Sequence, residues 1–199
     1  MTNLTLYSIT ALLILDADGH RVMAKYYHPP HSAPTSGQNS ATPSSSTGPQ
    51  GLASLKEQKA FEKSVHEKTK RGGGDINPLP PHLVLTKSTT DLHFHIVGPL
   101  ATSNEVQLSL ALNAFNDAVS LLLRGQVEKR SVLEGLDMVL LAADETIDDG
   151  IILETDGAAI ASRVSRPRTD TTDIIINEQT IMNAYSNLKD QMVRRIGQL

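Results

Sequence analysis

The sequence predicts an α+β fold, with an antiparallel sheet covered by helices on both faces. Three observations carry that reading. Tyr7 to Leu15 is apolar on both alternating sets, with Ile9, Ala11, Leu13 and Leu15 on one side and Leu12 and Ile14 on the other. A strand apolar on both sides is covered on both sides. The middle of the chain holds short extended pieces separated by turn residues, and from Val106 onward apolar residues recur at helical spacing.

Taken in order, Asp16-Ala17-Asp18-Gly19 supplies turn chemistry, and Gly19 is free to take positive φ. Arg21 to Tyr27 then returns as a second strand, Val22, Ala24 and Tyr26 alternating with Arg21, Met23 and Lys25. Leu52 to Arg71 reads as a charged helix with Leu55, Phe61 and Val65 on its apolar side, stopped by Gly72-Gly73-Gly74. Asp75 to Pro81 carries Pro78, Pro80 and Pro81, which confines it to a sheet edge. His82 to Ser88 and Leu92 to Val97 form a hairpin across Thr89-Thr90-Asp91. A capping box at Thr102 to Glu105 opens a helix over Val106 to Leu123, closed by Gly125. Val132, Leu136, Val139, Leu140, Ala143 and Ile147 lie on one further helix ended by Gly150, and a shorter one follows from Ala158 to Val164. Arg166-Pro167-Arg168 breaks it, and Glu178 to Ile196 makes a last helix.

Between Pro29 and Gly51 the composition shifts to five prolines and nine serines or threonines, with no charged side chain. Such a stretch buries too little apolar surface to offset its ordering entropy, which marks a flexible surface insertion at 29–51. The domain reading is one α+β domain over 1–155 carrying that insertion, then a C-terminal helical extension over 156–199. The 199 residues carry 18 basic and 22 acidic side chains, a net of −4, so no nucleic-acid footprint stands out. There is no cysteine, which excludes disulfides and thiolate metal sites. No stretch approaches the roughly 20 apolar residues of a membrane helix. A soluble, cytoplasmic protein that reaches membranes through partners is expected.

The search for chemistry yields little. His93 and His95 share one strand face and His82 lies on the paired strand, the outline of a three-histidine metal site. The competing reading, a polar sheet margin, is preferred because no carboxylate stands at a ligand spacing. Asp144, Glu145, Asp148 and Asp149 gather at a helix end, where carboxylates oppose the helix dipole unless basic groups answer them. Arg71-Gly72-Gly73-Gly74 follows a helix and lacks the ending of a phosphate loop, and no G-x-S-x-G occurs. Neither an enzyme nor a cofactor is expected.

Two segments carry a resemblance. Leu12 to Tyr27, through Leu15-Asp16-Ala17-Asp18-Gly19 and Met23-Ala24-Lys25-Tyr26-Tyr27, resembles the N-terminal hairpin of coatomer ζ subunits. Val127-Glu128-Lys129-Arg130-Ser131-Val132-Leu133-Glu134-Gly135-Leu136, with Asp144-Glu145-Thr146-Ile147-Asp148-Asp149-Gly150, resembles the same family's C-terminal signature. Asp91 to Gly98 fits the strand before its long helix. The resemblance implies a longin-like fold, a five-stranded antiparallel sheet between helices. It also implies pairing with the solenoid of the coatomer γ subunit, within a heteroheptameric coat recruited to Golgi membranes by an Arf-family GTPase. The σ small chains of clathrin adaptors, which read dileucine signals, share these motifs more loosely. In them a basic residue precedes the Leu-Ala-Lys of the second strand, whereas here Val22 holds that place and Arg21 lies one residue earlier. A one-residue displacement is expected to put Arg21 on the opposite sheet face, so that cargo pocket is not carried over.

The candidate partner-binding residues come from the long helix. Phe115, Leu108, Val119 and Leu122 share its sheet-facing side, and Ala111, Ala114 and Ala118 leave room for the following helix. Asn113, Asn116 and Ser120 mark a polar back. Val106, Leu110 and Leu121 extend the apolar arc beyond what one sheet and one helix cover, which leaves two readings: the C-terminal helix over 178–196 folds across them, or they are the seat of the large subunit, the reading preferred here.

Overall fold

A computed structural model of the chain describes residues 6–27, 52, 54–70 and 74–165. The insertion at 29–51, Gly72 and Gly73, the Arg166-Pro167-Arg168 break and the helix read over 178–196 lie outside the described residues.

Five strands form one antiparallel sheet: β1 (Ala11–Asp16), β2 (Arg21–Tyr26), β3 (Ile76–Leu79), β4 (His82–Ser88) and β5 (Leu92–Pro99), in the spatial order β2-β1-β5-β4-β3. The doubly apolar β1 lies inside the sheet between β2 and β5, and every one of its residues is buried. Proline-containing β3 takes an edge, where a missing N–H costs no ladder bond.

Helix α1 (Leu55–Lys70) covers one face, where Val65 and Phe61 meet Ala11, Leu13, Val84 and Val97. Ser54 and Glu57 cap it reciprocally, the Ser54 N–H donating to Glu57 Oε2 and the Glu57 N–H to Ser54 Oγ. The helix therefore starts three residues later than expected. Leu52 is buried ahead of it, and Leu55, placed on the apolar side by the sequence pattern, is exposed.

The opposite face carries α2 (Glu105–Leu122), α4 (Leu136–Thr146) and α5 (Gly157–Val164), with the short α3 (Lys129–Glu134) leading into α4. Asn104 caps α2 by accepting from the Val106 and Gln107 N–H groups, a one-residue cap in place of the expected box. Leu108, Phe115 and Val119 enter the core, and Phe115 meets Phe94 of β5 edge-on at 5.9 Å.

The single helix expected over 132–147 is instead two, split at Gly135. Its end also differs. Gly150 does not terminate a helix: Asp149 and Gly150, at φ 48° and 85°, make a tight turn between β6 (Ile147–Asp148) and β7 (Ile151–Ile152). Asp-Gly at two positive-φ positions is a hairpin signal that the surrounding helical spacing concealed. The Gly150 carbonyl accepts from the Ser8 and Ile9 N–H groups, and an added Cβ would stand 2.7 Å from the Ile9 oxygen. Only glycine satisfies both demands.

The small residues of α2 receive α5, not the helix that follows in sequence. Gly157 sits so close that a Cβ would lie 2.9 Å from the Ala114 carbonyl and 3.1 Å from the Ala118 nitrogen.

Candidate functional site

Val106, Leu110 and Leu121 are 68 %, 53 % and 57 % exposed. At about 100° per residue they fall within an arc of about 60° on the outer side of α2. The sheet takes the opposite side and α5 takes the flank of alanines, so the strip has no cover among the described residues. The structure thus brings the three predicted residues onto one surface. It also refines the pattern between them. Asn113 and Asp117 lie on the same stripe, and the Lys87 ammonium donates to Asn113 Oδ1 at 3.0 Å and stands 3.5 Å from Asp117 Oδ1. The strip is therefore apolar at both ends and polar at its centre. Asn116, assigned to the polar back, is instead buried. Exposed Leu140 and Leu141 on α4 add apolar surface that the sequence pattern missed, since Leu140 falls on the helical stripe assigned to the core.

Of the acidic group, Asp144 and Glu145 find basic partners within the chain. Lys25 of β2 pairs with Asp144, and Arg163 of α5 with Glu145 at 3.5 Å and with Glu154 at 2.9 Å. These pairs tie α4 to β2 and α5 to both carboxylates. Asp144 and Glu145 thus act as a structural brace.

The second strand does not alternate simply around Arg21. A β-bulge lets Leu15 pair with Arg21 while Ile14 pairs with Met23, leaving Val22 as the extra residue. Val22 and Met23 both pack towards the α2 side, and Arg21 rejoins Ala24 and Tyr26 on the α1 side. Arg21 therefore lies on the face opposite to Val22, as the one-residue displacement implies, but the bulge, which unbroken alternation does not foresee, sets it with Ala24 and Tyr26 and not with Met23. There the guanidinium is engaged: Nε donates to Glu62 Oε2 at 3.1 Å and Nη2 stands 2.6 Å from Oε1, while the Tyr26 hydroxyl donates to the same carboxylate at 2.9 Å. Glu62 is buried, so this is an internal bidentate pair and not a cation open to an acidic signal.

The three histidines considered as ligands are not brought together. His82 packs edge-on against Phe61 at 5.1 Å and pairs with Pro99, four residues along β5 from His95. His93 and His95 instead form a row with His66 of α1, at ring separations of 6.4 and 6.2 Å. Ser88 Oγ lies 2.8 Å from His93 Nδ1, and Thr86 Oγ1 lies 2.9 Å from His95 Nδ1. Burial holds His95 down at about 3, with the neighbouring His93 and His66 adding to the effect.

A tighter group, Asp16, Asp18 and His20, lies in the β1–β2 turn. Burial alone would raise the Asp16 carboxyl, but Lys129 and the backbone N–H groups of His20 and Asp18 outweigh it and hold it at about 2. Lys129 Nζ donates to Asp16 at 2.8 Å while the Lys129 N–H donates to Asp91, joining α3 to two sheet turns. A lysine already supplies the counter-charge, so the group reads as a turn lock.

Comparisons with known proteins place the chain in a family. The model of the clathrin adaptor complex small chain matches residues 51–171. Coatomer subunit zeta of Saccharomyces cerevisiae is 39 % identical over 200 residues, covering 100 % of this chain and 99 % of the relative. Human coatomer subunit zeta-1 is 37 % identical, covering 94 % of this chain and 92 % of its own length. Among solved structures, a chain described as a homology model of the full-length AP-3 complex in a stretched open conformation superimposes with a TM-score of 0.55 at 14 % identity, covering 92 % of this chain and 98 % of that one. That likeness concerns the fold, which is longin-like. The chain belongs to the clathrin adaptor complex small-chain family, within its coatomer zeta branch.

Proposed function

We propose that the chain is the non-enzymatic small subunit of a coatomer-type vesicle coat, and that it works by seating a large, solenoidal γ-type subunit on the outer face of α2. One observation carries the reading: Val106, Leu110 and Leu121 stay exposed on a helix whose other sides are buried in the domain. Exposed apolar side chains gathered on one helix face in this way suit a protein interface. The Lys87–Asn113–Asp117 group at its centre would set register, since a partner must answer those polar atoms or leave them desolvated. In this role the protein acts on the cytoplasmic face of Golgi membranes, within a heteroheptameric coat recruited by an Arf-family GTPase, in retrograde and intra-Golgi transport. The dileucine-reading role of a σ-type chain gains nothing from the geometry, because Glu62 occupies Arg21.

The test is affinity purification of the tagged full chain from cells, followed by mass spectrometry. Recovery of the coatomer large subunits in stoichiometric amounts supports the proposal. Recovery of clathrin adaptor chains without coatomer contradicts it.

A further inference from the structure

The outer face of α1 differs from every other surface of the described domain. Lys56, Lys59, Lys63 and Lys70 are all exposed. At about 100° per residue they fall within an arc of about 60°, on the side of the helix away from buried Val65, and they run along about 21 Å of it. Glu67 is the one carboxylate on that side, at its margin, since Glu62 is buried against Arg21 and Glu57 lies round the helix within the cap. The lysines and arginines that form ion pairs among the described residues are Arg21, Lys25, Lys87, Lys129, Arg130 and Arg163, so none of the four is neutralised within the domain. In a chain of net charge −4 this is a concentrated positive ridge.

We propose that this ridge docks onto an anionic lipid surface. Charge complementarity identifies the occupant. Protein interfaces favour arginine and aromatic anchors at a desolvated centre and are depleted of lysine, and the ridge has neither anchor. Lysine is a strongly hydrated point charge on a flexible stem, suited to a diffuse array of lipid phosphates that requires no fixed geometry. A juxtaposed lysine strengthens attachment to an anionic leaflet roughly fivefold. Leu55, exposed at the N-terminal end of the row, adds an apolar group able to enter the headgroup layer. The ridge and the α2 strip occupy opposite faces of the sheet, so the domain can hold a partner on one side and a membrane on the other. This inference does not depend on the identity of the partner at α2.

The experiment is co-sedimentation of the purified full chain with phosphatidylcholine vesicles, with or without about 30 % phosphatidylserine. Wild type is expected to partition at least tenfold more strongly onto the anionic vesicles, and to be released when salt rises from about 50 to about 500 mM. Lys59→Glu with Lys63→Glu should lose that preference. An equal charge change elsewhere, Arg124→Glu with Arg130→Glu, should weaken binding far less; circular dichroism checks that both variants are folded. Equal partitioning of wild type onto neutral and anionic vesicles overturns the proposal, and so does equal weakening by the two charge reversals. Binding of poly-glutamate without binding of anionic vesicles overturns it too, and assigns the ridge to an acidic protein.

Discussion

On the α2 side of the sheet, Leu12, Ile14, Phe94 and Ile96 meet Leu108, Phe115 and Val119 with few polar atoms between them. On the α1 side the apolar cluster is small, built on Ala11, Leu13, Val65, Val84 and Val97. What surrounds it is polar: the Arg21–Glu62–Tyr26 group at one margin and the His66–His93–His95 row beneath the helix. One layer is held by volume and shape, the other by particular hydrogen bonds and charges. The outer surfaces follow the same division, apolar on α2 and basic on α1. The α2 layer therefore depends on packing volume, while the α1 layer also responds to pH.

The largest effect is expected on the apolar side. Phe115→Ala removes a fully buried ring and should cost about 3–5 kcal/mol, read as a fall in the denaturation midpoint. On the α1 side, Glu62→Ala should cost roughly 3 kcal/mol, since the carboxylate is buried while Arg21 keeps some contact with solvent. Glu62→Ala combined with Arg21→Ala should cost less than the sum of the single changes, because the pair acts as a unit. Strict additivity would show that the contact is incidental.

Acid should separate the layers further. His95 is held at about 3 against an unfolded value of 6.5, so the unfolded chain takes up the proton first. The stabilisation is complete above pH 6.5 and declines as pH falls towards 3, by up to about 1.4 kcal/mol per pH unit. Asp16, held at about 2 against 3.8, keeps its contribution until pH falls below 3.8 and loses it through 2. His95→Gln should flatten the stability profile between pH 6.5 and 4, measured by denaturant titration at each pH. An unchanged slope would remove His95 as its source.

Much of this was legible in the sequence because burial on two sides leaves a two-sided apolar pattern. β1 announced an interior strand, and the prolines of β3 announced an edge. The α2 strip was visible because its spacing left Val106, Leu110 and Leu121 outside the arc that the sheet and one neighbouring helix cover. Other features depended on events that alternation and helical spacing do not encode. The bulge at Val22 returned Arg21 to the α1 face, and its partner Glu62 lies 41 residues away. The Asp149-Gly150 turn was hidden because Ile147 continues the helical spacing into a strand. The histidine row needed His66 from α1, which sequence order gives no reason to join to His93.

The central claim is that the exposed strip of α2 belongs to a partner and not to the domain's own core. It is tested most directly by Leu110→Asp combined with Leu121→Asp, assayed together for thermal stability and for co-purification with the large subunit. Both side chains are more than half exposed, and exposed substitutions away from special features change stability by about 0.5 kcal/mol or less. The expected result is a soluble chain with an essentially unchanged melting temperature that no longer retains the large subunit. A double variant that unfolds on its own, or one that still binds the large subunit as wild type does, would contradict it.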